Sequence, residues 1–415
     1  MPELRFYFDV VCPYAYLAST RIEALAAAHG ATVAWRPILL GGLFREIGAP
    51  QLPATAMSAP RARLNLLDMQ RWADRWGVPL TMPADHPRRT VAAMRLLVGV
   101  GDGPQRRALA AALYRAYWAE GRDVSDRAVV DAIAREHGVD PAVIDSQAAR
   151  EGLFSTTAEA ARLGAFGVPT IALDGETIWW GADRLCLVEE ALGGRPRRPG
   201  ERPADAPPAA ASGATIDFFH DFASPFSYLA STQIARVAAA YGATLRWRPI
   251  LLGALFRELG TADVPLLGMN AAKQAYVRRD LDDWAAFWRV PFRFPSHFPI
   301  RTVAPLRVAL VAPELTSALY EAAWSKDQAI DEPQVLARII AENKRDPVAV
   351  LEEASSPTIK EALRENTAAA ELAGCCGVPS MVVTPAAGGE PIVLWGQDRL
   401  EMLEWVLEGW RPPRG

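Results

Sequence analysis

The chain is one sentence written twice, and any fold proposed for it has to accommodate that. "DVVCPYAYLAST", from Asp9 to Thr20, returns as "HDFASPFSYLAST", from His220 to Thr232. "TVAWRPILLGGLFREIG" (Thr32 to Gly48) returns as "TLRWRPILLGALFRELG" (Thr244 to Gly260). Both pairs keep one offset, 244 − 32 = 212 and 224 − 12 = 212. The same offset carries Asp68 and Trp72 onto Asp280 and Trp284, and Arg89-Thr90 onto Arg301-Thr302. Further on, "FGVPT" (Phe166 to Thr170) answers "CGVPS" (Cys376 to Ser380), and "WGADRL" (Trp180 to Leu185) answers "WGQDRL" (Trp395 to Leu400), with short insertions between. A period this long is a duplicated domain, not a solenoid. A length of 415 residues also exceeds what one core supports.

The seam is "GGRPRRPGERPADAPPAAASGA", Gly193 to Ala214. It is rich in Pro, Ala, Gly and Arg and has almost no large apolar side chain, so it reads as a linker. The expected boundaries are a first domain over 1–192, the linker over 193–214 and a second domain over 215–415. Each copy follows one plan. "LRFYFDV" and "ATIDFFHDF" are short apolar strands. A Cys-Pro or Ser-Pro turn follows, then a helix over "YLASTRIEALAAAHG" and a second strand at "TVAWRPIL". The middle region, about 54–164 in the first copy, reads as helices. "TIALDG" with "TIWWG" predicts a closing hairpin, and "DRLCLVEEALGG" a last helix ending at glycine. This is an α/β plan whose parallel strand pair needs a helical crossover.

A net charge of −4 provides no basic field, so nucleic acid and anionic membrane surfaces are not expected partners. No apolar run is long enough to span a bilayer, and "MPELRFYFDV" lacks the character of a secretory leader. The four cysteines, Cys12, Cys186, Cys375 and Cys376, form neither a CxxC nor a zinc spacing, and the five histidines are scattered. No metal site is expected, and reduced thiols fit a cytoplasmic protein.

Cys12 and Ser224 hold the same place, after a strand and before Pro225 or its counterpart Pro13. A helix start presents unpaired N–H groups that stabilise an anion, a thiolate included. Serine there also serves as a plain N-cap. Cysteine is a poor cap, so the pair points to a site built around sulfur: the protein's own thiolate, or a bound one that a hydroxyl holds. The pKa of Cys12 is accordingly expected below the ordinary thiol value of about 8.5, making it the first cysteine to be alkylated. A cis bond before Pro169 or Pro379 would turn the backbone of Val168 or Val378 towards this turn.

Strand, [Cys/Ser]-Pro-x-x, helix, then Gly-Val-Pro before a hairpin resembles the thioredoxin superfamily in its DsbA-like form. "DFASPFSYLA", "WRPILLGALF", "NAAKQAYVRRDLDDWA" and "WGQDRL" narrow the resemblance to 2-hydroxychromene-2-carboxylate isomerases and kappa-class glutathione transferases. It covers each copy almost end to end and implies two tandem DsbA-like domains, each with an all-helical insertion. It also implies glutathione as cofactor. Ser224 would hydrogen-bond the glutathione thiol, Val378 before Pro379 would pair with its peptide, and Asp398 with Arg399 would hold its zwitterionic γ-glutamyl end. Asn270 and Lys273 resemble polar residues lining the substrate cleft. Tyr228 and Trp284 would flank a flat aromatic acid, or serve only the core of their helices. In the first copy Val168, Pro169, Asp183 and Arg184 remain, while Asn270, Lys273, Tyr276 and Gln397 become Ser58, Arg61, Leu64 and Ala182.

Three residues after Cys12 stands Ala15, and three after Ser224 stands Ser227, so dithiol exchange lacks its resolving cysteine. The resemblance implies a glutathione-dependent isomerase that opens a 2-hydroxychromene-2-carboxylate ring and yields a trans aryl-ene-pyruvate. Glutathione transfer, a monothiol reaction at Cys12, and binding without turnover are the alternatives. Relatives of this kind generally pair as single domains, and about 22 linker residues reach roughly 26 Å as a flexible coil. The two halves are therefore expected to pair within one chain. Light scattering is expected to give the mass of one chain and small-angle scattering a compact envelope; a two-chain mass or separated lobes would sink that expectation.

Overall fold

The computed structural model describes residues 1–51, 57–201, 212–262 and 264–411. The middle of the expected linker, 202–211, lies outside the described residues. These residues divide into two compact units. The first is drawn from Met1–Ala56, Leu66–Pro196 and Met269–Val277, the second from Met57–Asn65, Arg197–Gly268 and Arg278–Gly415. Each unit therefore takes in one short segment of the other repeat, which the tandem pattern alone does not reveal.

The first unit is built on a four-stranded sheet in the order β2-β1-β3-β4. Its strands are β1 (Glu3–Phe8), β2 (Thr32–Pro37), β3 (Thr170–Leu173) and β4 (Thr177–Trp180). The second repeats it as β6-β5-β7-β8 with β5 (Thr215–His220), β6 (Thr244–Pro249), β7 (Ser380–Thr384) and β8 (Ile392–Trp395). β1 runs parallel to β2, Phe6 opposite Trp35, and antiparallel to β3, Phe6 opposite Ile171. The β3–β4 hairpin turns through three residues, Asp174 to Glu176, between the paired Leu173 and Thr177; Asp174 and Gly175 have φ of 49° and 77°, left-handed values that Asp and Gly tolerate best.

The expected crossover helix is two helices, Pro13–Ser19 and Ile22–Ala28. The break has a local cause. Ser19 and Thr20 turn their hydroxyls back onto the carbonyls of Tyr16 and Leu17, at 2.6 and 2.7 Å, and so compete with the continuing helix. The second copy does the same through Ser231 and Thr232. The insertion is helical, as its pattern predicts: Ala59–Trp76, Val91–Gly99, Pro104–Trp118, Arg127–Glu136 and Gln147–Arg162.

Alternation along β1 sets the layers. Phe6 and Phe8 point to one face and meet Trp35 edge-on at 5.1 and 5.2 Å, while Tyr7 points to the other and donates to Glu159. In the second unit Phe218 meets Trp247 in the same way at 5.2 Å. Behind these rings Trp118 and Trp324, both fully buried, donate to the carbonyls of Val10 and Phe222 just before the Cys12 and Ser224 turns. The helical insertion thus grips the turn that the sequence singles out. No described helix is long and apolar enough to cross a membrane.

The start of the seam is not the unpacked spacer its composition predicts. Arg198 is 4% exposed, lies over the Phe287 ring and donates to the Phe287 carbonyl. Arg197 pairs with Glu404, which is 1% exposed and also accepts from Gly200 N at 2.6 Å. Both contacts belong to the second unit. Arg197→Ala leaves that carboxylate buried with fewer donors and is expected to cost the second unit about 1–3 kcal/mol. The readout is the midpoint of urea unfolding followed by tryptophan fluorescence; an unmoved midpoint would show the pair to be idle.

Candidate active site

The candidate site of each half is the turn after its first strand. In the second half Ser224 has extended backbone (φ −106°, ψ 119°) and caps the helix Pro225–Ser231, its Oγ accepting from Ser227 N at 3.2 Å. The same hydroxyl donates to the carbonyl of Val378 at 3.3 Å. Cys12 adopts nearly the same backbone (φ −96°, ψ 118°) but makes no cap hydrogen bond; its Sγ donates to the carbonyl of Val168 at 3.0 Å. The Val168-Pro169 and Val378-Pro379 bonds are both cis. Turn and proline loop therefore meet in both halves, through a residue side chain and the carbonyl before the proline.

Cys12 departs from expectation. Its thiol is buried, and burial pushes its pKa up to about 12. The backbone N–H groups of Ala15 and Tyr14 pull the other way, as a helix start does, but desolvation outweighs them. The residue is a neutral thiol in contact with a carbonyl, not a poised thiolate.

Each half carries an Asp-Arg ion pair. Asp398 with Arg399, at 3.1 Å, and Asp183 with Arg184, at 2.9 Å, follow the last strand of each half. The glycine before each pair is obligatory. Gly181 and Gly396 have φ of 113° and 115°, and a Cβ there would lie 2.3 and 2.4 Å from the aspartate Oδ1. The turn Gln397–Arg399 packs on the helix that Ser224 begins, so carbonyl, hydroxyl and ion pair share one end of the unit. Each carboxylate and guanidinium is mostly buried yet keeps a solvent-facing remainder, as a site for a zwitterion needs.

Asn270 and Lys273 belong to a different unit from Ser224. They fall in the first unit, where Asn270 caps its helix by accepting from Lys273 N at 2.9 Å. The Lys273 ammonium lies over the rings of Phe166 and Trp180, at 5.8 and 5.7 Å, beside the Val168-Pro169 loop. Tyr276 adds to this cluster, its hydroxyl accepting from Trp180 N at 2.9 Å. Arg61, the repeat counterpart of Lys273, falls in the second unit over the ring of Trp395 at 5.5 Å. Each proline loop is thus dressed by a cation from the other repeat. Tyr228 and Trp284 are core residues, each 3% exposed. The Tyr228 hydroxyl is spent on the carbonyl of Pro291 at 2.6 Å, and Trp284 stacks on Trp288 at 5.8 Å.

Two site residues escaped the sequence reading although the repeat displays them. Asp9 and Asp221, three residues before Cys12 and Ser224, are 1% exposed. Asp9 accepts from Leu40 N at 2.9 Å, Val11 N at 3.2 Å and Thr90 Oγ1 at 2.7 Å. Asp221 accepts from Leu252 N at 2.8 Å, Ala223 N at 3.0 Å and the Thr302 side chain. The signal was the shared Asp and shared Thr at one offset.

Comparison with known proteins agrees with this architecture. A DSBA-like thioredoxin domain model matches residues 3–193 and again 215–408. A 2-hydroxychromene-2-carboxylate isomerase of Pseudomonas putida is 33% identical over 200 residues, 45% of this chain and 93% of that protein. Human glutathione S-transferase kappa 1 is 27% identical over 216 residues, 48% of this chain and 93% of that protein. A solved structure of a 2-hydroxychromene-2-carboxylate isomerase is 30% identical with a TM-score of 0.41, covering 46% of this chain and 94% of that one. Each relative corresponds to one half.

The buried, neutral state of Cys12 predicts its reactivity. With limiting iodoacetamide near neutral pH, the partly exposed Cys186 is expected to label before Cys12, and Cys12 only as the pH climbs towards its raised pKa. Peptide mass spectrometry reads the order; early labelling of Cys12 would contradict the desolvation argument.

Proposed function

Because the chain belongs in both halves to the DSBA-like thioredoxin family, alongside the 2-hydroxychromene-2-carboxylate isomerases and kappa-class glutathione transferases, we propose that it is a cytoplasmic glutathione-dependent isomerase. Its substrate class is a cyclic aromatic carboxylate of the 2-hydroxychromene-2-carboxylate kind, and its product a ring-opened trans aryl-ene-pyruvate. The observation that carries this is the pairing of Ser224 Oγ with the Val378 carbonyl at 3.3 Å.

That bond is long for an O–H donor and therefore easily exchanged. With glutathione bound, the Val378 carbonyl would accept from its peptide N–H and the Ser224 hydroxyl would donate to its sulfur. Asp398 and Arg399 would hold the α-amino and α-carboxylate groups of the γ-glutamyl end. The residues present thus match glutathione at its thiol, its peptide and its charged end. Bound glutathione supplies the thiolate that adds reversibly to an activated carbon–carbon double bond, leaving a single bond about which rotation is possible. The chain's own tasks are to donate a proton-bearing hydroxyl to that sulfur, to fix its direction, and to keep the partners together. Atoms balance, since the reaction is an isomerisation and glutathione is returned.

The kappa-class relatives support a second reading, glutathione transfer to an electrophile; product identity separates the two. A monothiol redox cycle at Cys12 is disfavoured by the burial of that thiol. Ser224→Ala is expected to keep the fold and glutathione binding by calorimetry, and to lower turnover of a 2-hydroxychromene-2-carboxylate to its aryl-ene-pyruvate roughly a hundred- to a thousandfold, the usual cost of one donor to an anion. Unchanged turnover would return Ser224 to the role of a helix cap.

A further inference from the structure

His220 ends β5 inside a cage of rings. It stacks on Phe218 at 5.6 Å and meets Phe222, Trp247 and Tyr320 at 5.7, 5.4 and 5.7 Å. Phe8 holds the same repeat position, 220 − 212 = 8, in the same cage: stacked on Phe6 at 5.4 Å, edge-on to Trp35 at 5.2 Å and tilted to Tyr114 at 6.0 Å. A phenyl ring fills the place, so packing does not explain an imidazole there. The His220 Nδ1 lies 3.0 Å from the Tyr320 hydroxyl, and its Nε2 has no hydrogen-bond partner among the described residues.

Ser227 faces the same hydroxyl from the side of Ser224. It is wholly buried, its Oγ has no partner, and its backbone N–H donates to Ser224 Oγ. Its counterpart is Ala15, 227 − 212 = 15. The second half has therefore placed a polar group on each side of Tyr320 where the first half is apolar. Lacking both, Tyr114 turns its hydroxyl to the backbone carbonyl of Asp9 at 3.4 Å. Leaving two polar atoms buried and unpaired costs stability and calls for a use. Asp221, the other buried ionisable group here, is bonded as Asp9 is and does not distinguish the halves.

The direction of such a chain follows from the cage. Burial keeps the His220 ring neutral, with its pKa pushed down to about 3. A proton on Nε2 would strand a donor among aromatic rings, which is worse than an idle lone pair. With the proton on Nδ1, His220 donates to Tyr320, and Tyr320 is left able to donate to Ser227 once the Ser227 proton turns to whatever Ser224 holds.

We propose that His220, Tyr320 and Ser227 form a buried donor relay in the Ser224 half, in which Ser227 supplies a second hydroxyl to the sulfur held by Ser224 and the other two are positioning residues. The relay assigns thiol ionisation to this half. It rests on the reading that Ser224 holds the sulfur of glutathione.

The test is the ultraviolet thiolate absorbance of the glutathione-saturated full chain, followed against pH. In the wild type the bound thiol is expected to titrate well below free glutathione. Ser227→Ala and His220→Phe are each expected to lower the ionisation constant of the bound thiol about tenfold, seen as an upward shift of its titration by about one pH unit, as loss of a hydrogen bond to a charged group does. The double variant is expected to be no worse than Ser227→Ala, because His220 acts only through Ser227. Both substitutions install the side chains of Ala15 and Phe8, and melting curves check the fold; should His220→Phe not fold, Tyr320→Phe takes its place. A wild-type thiolate band with unaltered titration in the variants overturns the relay alone. No thiolate band in the wild type overturns the glutathione reading and the relay with it.

Discussion

A buried carboxylate holds each half of this chain together at the turn of its candidate site. Asp9 and Asp221 follow directly on the first strand of their sheets and gather donors from three separate segments: their own turn, the helix after the second strand, and the threonine that opens the first helix beyond the cis-proline of the insertion. Their backbone carbonyls accept from Cys12 N and Ser224 N at 3.0 and 3.1 Å. Burial raises the pKa of both groups while the donors lower it. A carboxylate in this position is tolerated because every direction in which it needs a donor is supplied. The turn carrying Cys12 or Ser224 is thereby set against the sheet, and the Val-Pro loop can meet it within hydrogen-bond reach.

On this shared frame the two halves have diverged in electrostatics more than in shape. Cys12 and Ser224 reach equivalent carbonyls, and both Asp-Arg pairs and both Gly-Val-Pro loops persist. What differs is the quality of the donor. A hydroxyl donates strongly and a thiol weakly, and a thiol with its pKa raised by burial does not ionise to compensate. The first half also has Phe8 and Ala15 where the second has His220 and Ser227.

Much of this was legible in the sequence because the repeat acts as an internal control. Strand, turn, crossover, helical insertion, hairpin and last helix each appear twice, and the turn pair announced itself as one position with two sulfur-compatible side chains. Where the sequence misled, a competing physical term had won. At Cys12 the helix start was visible and the depth of burial was not. For Tyr228 and Trp284 an aromatic in a helix was compatible with ligand or core, and three-dimensional packing made both core. Lys273 and Arg61 were read as belonging to their own repeats, because nothing in a tandem pattern marks a segment that joins the other unit. Arg197 and Arg198 looked like linker charge, yet a ring and a buried glutamate claim them.

A duplicated domain relaxes a constraint that a single copy cannot escape. In one domain the hydroxyl proposed to ionise a thiol, the carbonyl beside it and the carboxylate that supports the turn must all be retained together. With two copies in one chain, the frame can persist in both while the donor is refined in one. The first half shows what the frame tolerates: a larger, softer sulfur that packs against Val168, a phenyl ring in place of an imidazole, an alanine in place of a hydroxyl. All three changes replace polar contact by apolar contact at buried positions, which favours packing and removes the cost of unpaired groups. The second half accepts that cost at Ser227 and His220. The opposite signs of these choices, made on the same frame, are the reason the chemistry is proposed for the half that is less well satisfied.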